Sequence, residues 1–150
     1  MKAESPGSKV YAKATHSFHV PAERVFEAWL KPETIGTWMF GPSIREEEII
    51  HLKNDPRVGG TFSYLVNRQG VDLDHIGEYL KITPPTHLEF TWGVRQDQGA
   101  KSRVVIDFAP TAQGCDVTLA HEMDAEWADF VPRIEGSWTK MLNALDAALR

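Results

Sequence analysis

The residues of this chain that could do chemistry are few and scattered. Acidic and histidine side chains cluster at positions 72–75 (Asp-Leu-Asp-His) and 121–122 (His-Glu), but neither histidine shares a helical spacing with another. A metal site needs three or four convergent ligands, so both clusters are interpreted as solvated faces. No serine lies in a Gly-x-Ser-x-Gly elbow, and the single cysteine, Cys115, falls on an apolar strand parity that predicts burial. The sequence therefore predicts no metal ion, no cofactor and no catalytic nucleophile.

One carboxylate, Glu78, stands out because strand alternation places it among apolar neighbours. A buried carboxylate needs a partner or a raised pKa, so Glu78 is a candidate polar anchor or acid for a ligand. The alternative is a structural ion pair with Arg103 or Arg57 at a strand end. The assignment depends on which parity of this strand faces inward, and the strand is apolar at both Tyr79 and Leu80.

Length and composition bound the remaining possibilities. A chain of 150 residues is one ordinary domain, and a net charge of −5 disfavours binding to nucleic acid. One cysteine excludes an internal disulfide framework. The first residues lack the apolar core of a signal peptide, and no apolar run is long enough to cross a membrane. These features predict a cytoplasmic protein that does not bind membranes.

The pattern of apolar residues predicts the elements that must position these side chains. A strand at 9–20 precedes two short helices, which begin near Pro21 and Pro32, and the second runs through Trp38. From 44 to 121 short alternating segments separated by turns predict about six antiparallel strands, with a four-residue hairpin connection at 67–70 and a turn at 96–100. From 131 to 150 the apolar period changes to three and four residues, which predicts one long amphipathic helix.

The fold class that follows is α+β: a curved antiparallel sheet of about six to seven strands wrapped around the C-terminal helix. Residues 1–8 are predicted to be a flexible tail, and 9–150 form the domain. Space between the sheet and the helix, near the two short helices, would form a cavity. The aromatic and apolar residues on the predicted inward faces, with Glu78, are the candidate ligand-binding set: Trp29, Trp38, Met39, Phe62, Tyr64, Glu78, Phe90, Trp92, Val104, Phe130, Trp138 and Met141.

Several segments resemble the family of heat-shock protein 90 ATPase activator homologues. They are Pro-Ala-Glu-Arg-Val-Phe-Glu-Ala-Trp at 21–29, Gly-Pro at 41–42, Asp-Pro-Arg-Val-Gly-Gly at 55–60, Gly-Glu-Tyr-Leu at 77–80, and Gly136 with Trp138 in the last helix. The resemblance spans about residues 9 to 149 and implies a START-like helix-grip fold around a hydrophobic cavity. Two departures lie near that cavity: Trp-Met-Phe at 38–40 replaces the family's usual paired tryptophans, and Ser137 stands between Gly136 and Trp138.

The sequence and the resemblance together lead to an expected function and two alternatives. We expect a monomer or homodimer that binds an apolar small molecule in the cavity and is not an enzyme. The first alternative is a regulator that binds a heat-shock chaperone partner, which the family resemblance implies. The second is a cyclase or dehydratase-type enzyme, which would need at least two titratable groups with perturbed pKa values converging in the cavity.

Overall fold

The computed structural model describes residues 8–95 and 102–150. Within these residues the chain is an α+β domain, as the sequence predicts, and the expected order of elements is confirmed. The predicted turn at 96–100, and the predicted tail apart from residue 8, lie outside the described residues.

Seven strands, three α-helices and a short 3₁₀ segment make up the described structure. Their bounds are β1 Lys9–Phe18, α1 Ala22–Glu27, α2 Pro32–Trp38, β2 Glu48–Asn54, β3 Thr61–Arg68, β4 Val71–Thr83, β5 His87–Val94, β6 Ser102–Thr111, β7 Gly114–Asp124, the 3₁₀ segment Ala125–Phe130 and α3 Val131–Leu149.

The strands form one curved antiparallel sheet in the order β1-β7-β6-β5-β4-β3-β2. Every strand from β2 to β7 is hydrogen-bonded to its neighbour along the chain, and β1 closes the row by pairing with β7. Helix α3 packs against β1 and α2 on the apolar face of the sheet. At 1.5 Å per residue its 19 residues extend about 28 Å, which is long enough to cover several strands.

Strand alternation correctly predicts the inward face of the last three strands. Residues of β6 and β7 alternate between the core and the outer face, so that Val104 and Leu119 are fully buried. In β5, Leu88 and Phe90 face the core as predicted, but Glu89 between them is buried as well. The apolar stripe of α3 meets this face through Trp138, Met141, Leu142, Leu145 and Leu149. The core therefore lies where the two periodicities place it, between the sheet and α3.

Strand β4 departs from the prediction, because its inward parity is the opposite one. Tyr79 is buried, whereas Glu78 is exposed. Tyr79 pairs with Phe90 across the β4–β5 ladder, and a register shift after Tyr79 then brings Ile82 opposite Leu88, where Ile82 is partly buried against the core. A bulge of this kind inserts a residue and reverses the alternation, so no single parity describes the whole strand.

The β3–β4 hairpin is also tighter than predicted. Its ladder continues to the pair Arg68–Val71, so only Gln69 and Gly70 form the loop. Both residues have positive φ, 55° and 86°, which is the geometry of a two-residue type I′ turn. The turn places Arg68 at the end of a paired strand rather than in a mobile loop, and this position matters for the site described below.

Candidate functional site

A pocket of about 350 Å³ lies between α3, the 3₁₀ segment, the end of α2 and the concave face of the sheet. Its size is at the lower end of the range for small-molecule sites. Carbon-rich walls come from Trp92 on the sheet and from Trp138 and Met141 on α3. The remaining lining residues are Met39, Phe40, Arg45, Arg68, His75, Gly93, Val94, Ser102, His121, Met123, Asp124, Trp127, Ile134 and Ser137.

The structure brings four of the twelve candidate residues to this pocket: Met39, Trp92, Trp138 and Met141. Their rings and thioethers are contributed by three separate elements. Trp138 packs against Trp92 with ring centroids 5.7 Å apart, and Trp92 in turn lies 6.4 Å from Phe40 in a stacked arrangement. These contacts make a continuous aromatic wall.

Six other candidates lie in solid core beside the pocket. Trp29, Phe62, Tyr64 and Phe90 enclose a void of only about 10 Å³, too small for an organic ligand. Trp38 is fully buried, and its indole N–H donates to the carbonyl of Ala28 at 3.2 Å. Val104 is likewise fully buried. These side chains form the packed core between the helices and the sheet, and they pack against the far side of the residues that form the pocket wall.

The predicted positions of the last two candidates are wrong. Glu78 faces solvent because the inward parity of β4 runs through Tyr79 instead. Phe130 is 45% exposed and packs on Trp127, with ring centroids 5.3 Å apart. The chain around Phe130 is a 3₁₀ turn that precedes α3, so Phe130 is not part of the helix's apolar stripe.

A chain of hydrogen bonds crosses the floor of the pocket. The indole N–H of Trp138 donates to His121 Nδ1 at 3.0 Å, so the proton of the neutral His121 ring must be on Nε2. That N–H points to Ser102 Oγ at 2.6 Å, and the Ser102 hydroxyl donates to the carbonyl of Trp92 at 2.9 Å. Burial lowers the pKa of His121 to about 4. Because His121 is a donor toward Ser102, it cannot act as the base that would activate this hydroxyl.

His75 is the second buried histidine of the pocket, and it is differently bonded. Its Nδ1 lies 3.1 Å from the carbonyl of Tyr64, so Nδ1 carries the proton, and its ring packs 4.7 Å from that of Phe40. Within the described part of the chain no group is hydrogen-bonded to Nε2. Burial, with a smaller contribution from the nearby Arg68 guanidinium, lowers the pKa of His75 to about 4. His75 is therefore a neutral acceptor at neutral pH.

Two arginines and a buried glutamate stand next to His75. The Glu47 carboxylate is completely buried; it accepts from the backbone N–H of Gly41 at 2.8 Å, from Arg45 at 3.1 Å and from Arg68 at 2.7 Å. Burial alone would raise the pKa of Glu47, but these donors outweigh it and hold that pKa below its ordinary value. The carboxylate thus fixes both guanidiniums at the edge of the pocket.

The sequence signals for the polar lining residues were unequal. His121 falls on the inward parity of β7, so strand alternation marks it as buried. The interpretation of the clusters at 72–75 and 121–122 as solvated faces is wrong for Asp74, His75 and His121, which are all buried. Arg45, Arg68 and Ser102 lie in a loop or at strand ends, where polar residues are common, and nothing in their spacing distinguishes them. Only the curvature of the sheet and the turn at 69–70 bring them to one cavity.

Among the described residues, no group of three or more histidine, cysteine, aspartate or glutamate side chains is arranged to hold a metal ion. None of the helices in the described ranges is long and apolar enough to span a membrane.

Residues 19–150 match the sequence profile of the family described as "Activator of Hsp90 ATPase homolog 1-like protein". The chain belongs to this family. The match includes both short helices, strands β2 to β7, the 3₁₀ segment and α3, so every element that lines the pocket lies within the family's domain. No curated protein matches the sequence significantly.

Solved structures resemble the domain throughout its length. Protein CV1439 from Chromobacterium violaceum is 23% identical with a TM-score of 0.78, and the match covers 91% of this chain and 95% of that one. Protein NE0264 from Nitrosomonas europaea is 19% identical with a TM-score of 0.76, covering 95% and 94%. CalU16 from Micromonospora echinospora is 22% identical with a TM-score of 0.66, covering 93% and 74%. At these identities the likeness shows a common fold.

Proposed function

We propose that this member of the activator of Hsp90 ATPase homolog 1-like family binds a small molecule with an apolar body in the pocket beneath α3. The observation that carries the proposal is the pocket itself, about 350 Å³ walled by Trp92, Trp138 and Met141. Large aromatic side chains at the wall of a cavity offer extensive apolar contact at little entropic cost, because they are already packed from behind.

The fixed tautomer of His121 favours binding over nucleophilic catalysis. Ser102 is the one hydroxyl held against a pocket histidine among the described residues, and its proton is committed to the Trp92 carbonyl. A serine nucleophile needs a neighbouring base that accepts its proton, and His121 Nε2 donates instead. The pair therefore serves to support the pocket floor.

Acid–base chemistry in the same pocket is a second candidate, and the acceptor at His75 Nε2 favours it. His75 and His121 are two titratable groups with pKa values near 4 that line one cavity. Only His75 has a nitrogen left to take a proton from a bound molecule. Catalysis of this kind would be abolished in His75→Gln, whereas probe binding would persist.

A probe titration tests the binding proposal. The neutral fluorophore N-phenyl-1-naphthylamine should bind the folded wild type with a dissociation constant of about 1–10 μM. Ser137→Trp places an indole at the pocket mouth and should weaken binding by about tenfold or more, with the melting temperature little changed. Thr139→Trp adds the same bulk at an exposed position of α3 outside the pocket lining, and it should bind as the wild type does.

Two results would contradict the proposal. The first is that the wild type does not bind the probe. The second is that Ser137→Trp and Thr139→Trp bind it with equal affinity, because the probe would then be bound outside the pocket. Association with a chaperone would then be the better hypothesis from family membership. If the probe does bind in the pocket, native mass spectrometry of protein purified from its own host is the measurement that can identify a co-purified ligand.

A further inference from the structure

The charged residues of the pocket are separated by sign. Arg45 and Arg68 line it beside β3 and β4, and Asp124 lines it at the end of β7. Arg68 lies on β3, and β3 and β7 are four steps apart in the sheet, about 19 Å at about 4.8 Å per step. Asp124 is already neutralised by Lys9, whose ammonium lies 2.8 Å from its carboxylate. An electrostatic preference of the pocket for one sign of charge must therefore come from the arginine end.

At the arginine end positive charge exceeds negative charge. Two guanidiniums share one carboxylate, that of Glu47, which leaves one positive charge over. Arg45 uses Nη1 for Glu47 and for the carbonyl of Met39, and Arg68 uses Nε and Nη2 for Glu47. A guanidinium has five N–H donors, so each arginine retains donors that meet no acceptor among the described residues.

The arginines are held in place rather than free to swing into water. Glu47, whose side chain has no solvent exposure, anchors both of them, and the Arg45 guanidinium lies 5.9 Å over the Phe40 ring. The side chains of Arg45 and Arg68 are only 22% and 35% exposed. Donors that are already oriented and partly desolvated bind an oxyanion more strongly than a mobile surface arginine does.

We propose that the ligand of this pocket is an amphipathic anion, with a ring-bearing apolar body against Trp92 and Trp138 and a carboxylate or similar oxyanion on Arg45 and Arg68. This inference rests on the proposed function and specifies its ligand class. Both guanidiniums would repel a cationic ligand at this end of the pocket, and a neutral ligand would not neutralise the excess positive charge.

A pair of compounds of the same shape tests the charge preference. 2-Naphthoate and 2-naphthamide differ chiefly in the charge of one group, and their binding can be followed by calorimetry or by quenching of tryptophan fluorescence. The wild type should prefer 2-naphthoate by about tenfold or more, the range expected for charge-assisted hydrogen bonds. Raising the salt concentration from about 20 to about 500 mM should weaken only the binding of 2-naphthoate.

Variants that remove a positive or a negative charge should change the preference for 2-naphthoate in opposite directions. Arg68→Gln removes the excess positive charge and should reduce the preference to about twofold or less. Glu47→Gln removes a negative charge but keeps a side-chain oxygen that still accepts from the guanidiniums, so it raises the excess and should increase the preference. Arg57→Gln is the control, because Arg57 is an exposed residue paired with Asp55 outside the pocket. If Arg68→Gln fails to fold, the salt dependence of the wild type and the Glu47→Gln variant decide the question.

The outcomes separate this inference from the proposed function. Equal affinity of the wild type for both compounds, or tighter binding of 2-naphthamide, would overturn the anion preference and leave the pocket as a binding site. If neither compound binds and N-phenyl-1-naphthylamine does not bind either, the pocket is not a ligand site and both proposals fail. A preference for 2-naphthoate that Arg57→Gln loses and Arg68→Gln keeps would assign the anion to another surface.

Discussion

Replacing His121 by glutamine probes the hydrogen-bonded floor of the pocket through the pH dependence of stability. His121 is 5% exposed, and both of its ring nitrogens are engaged, Nδ1 as acceptor from Trp138 and Nε2 as donor to Ser102. Protonation would place the second N–H of the ring at Nδ1, facing the Trp138 indole N–H. The charged ring would therefore lose the hydrogen bond from Trp138 and would also lack the hydration that it has in the unfolded chain. The folded state should therefore resist protonation of this residue.

The magnitude follows from the two pKa values. Burial lowers the pKa of folded His121 from 6.5 to about 4, whereas the unfolded chain takes up the proton near 6.5. Between these values the unfolded state binds more protons, so stability is fully present above the unfolded pKa and is lost as the pH falls toward the folded one. At about pH 5, some 1.5 units below the unfolded pKa, His121 alone should lower the free energy of unfolding by about 2 kcal/mol.

The assay is urea denaturation of wild type and His121→Gln at about pH 7.5 and about pH 5. The variant is expected to be less stable at both pH values, but its loss on acidification should be smaller than that of the wild type by about 2 kcal/mol. His19→Gln, which removes an exposed imidazole, is the matched control and should lose as much as the wild type. If His121→Gln shows the wild-type difference between the two pH values, His121 is not held neutral by its surroundings and the reasoning is refuted.

Three further predictions concern residues outside the pocket lining, and each is measured by equilibrium denaturation or thiol labelling. Trp38→Phe should lower the free energy of unfolding by about 1–3 kcal/mol more than Trp29→Phe does. The reason is that Trp38 loses a hydrogen bond, whereas the Trp29 indole N–H has no acceptor among the described residues. Equal losses of stability would contradict this prediction. Tyr79→Phe should lower the free energy of unfolding by about 1 kcal/mol because the hydroxyl contacts are lost, and Glu78→Gln should change it by less than about 0.5 kcal/mol. A larger effect of Glu78→Gln than of Tyr79→Phe would mean that Glu78, as the sequence predicts, is the inward residue of β4. Burial raises the pKa of the Cys115 thiol to about 11, so thiol reagents should label it only on unfolding, and rapid labelling of the native protein would show that this strand opens.

The strands and helices of this protein could be predicted from the sequence because their periodicity is local. Alternation along β6 and β7 and the three-to-four spacing in α3 are properties of consecutive residues, and each identifies the buried face without knowledge of the partner. The same reasoning failed at Glu78, because a bulge between Tyr79 and Lys81 depends on the partner strand. It also failed at Phe130, where a 3₁₀ turn interrupts the approach to α3.

By itself the sequence determined the α+β class, the order of elements and the apolar set that the sheet and α3 enclose. Only the tertiary structure decided which of those residues border empty space. Phe62 and Phe90 are aromatic residues on the inward parity of their strands, as Trp92 is, yet they pack solidly while Trp92 faces the pocket. The difference arises because a void depends on how far a curved sheet and a helix diverge, a property of the whole assembly that no spacing within one strand records.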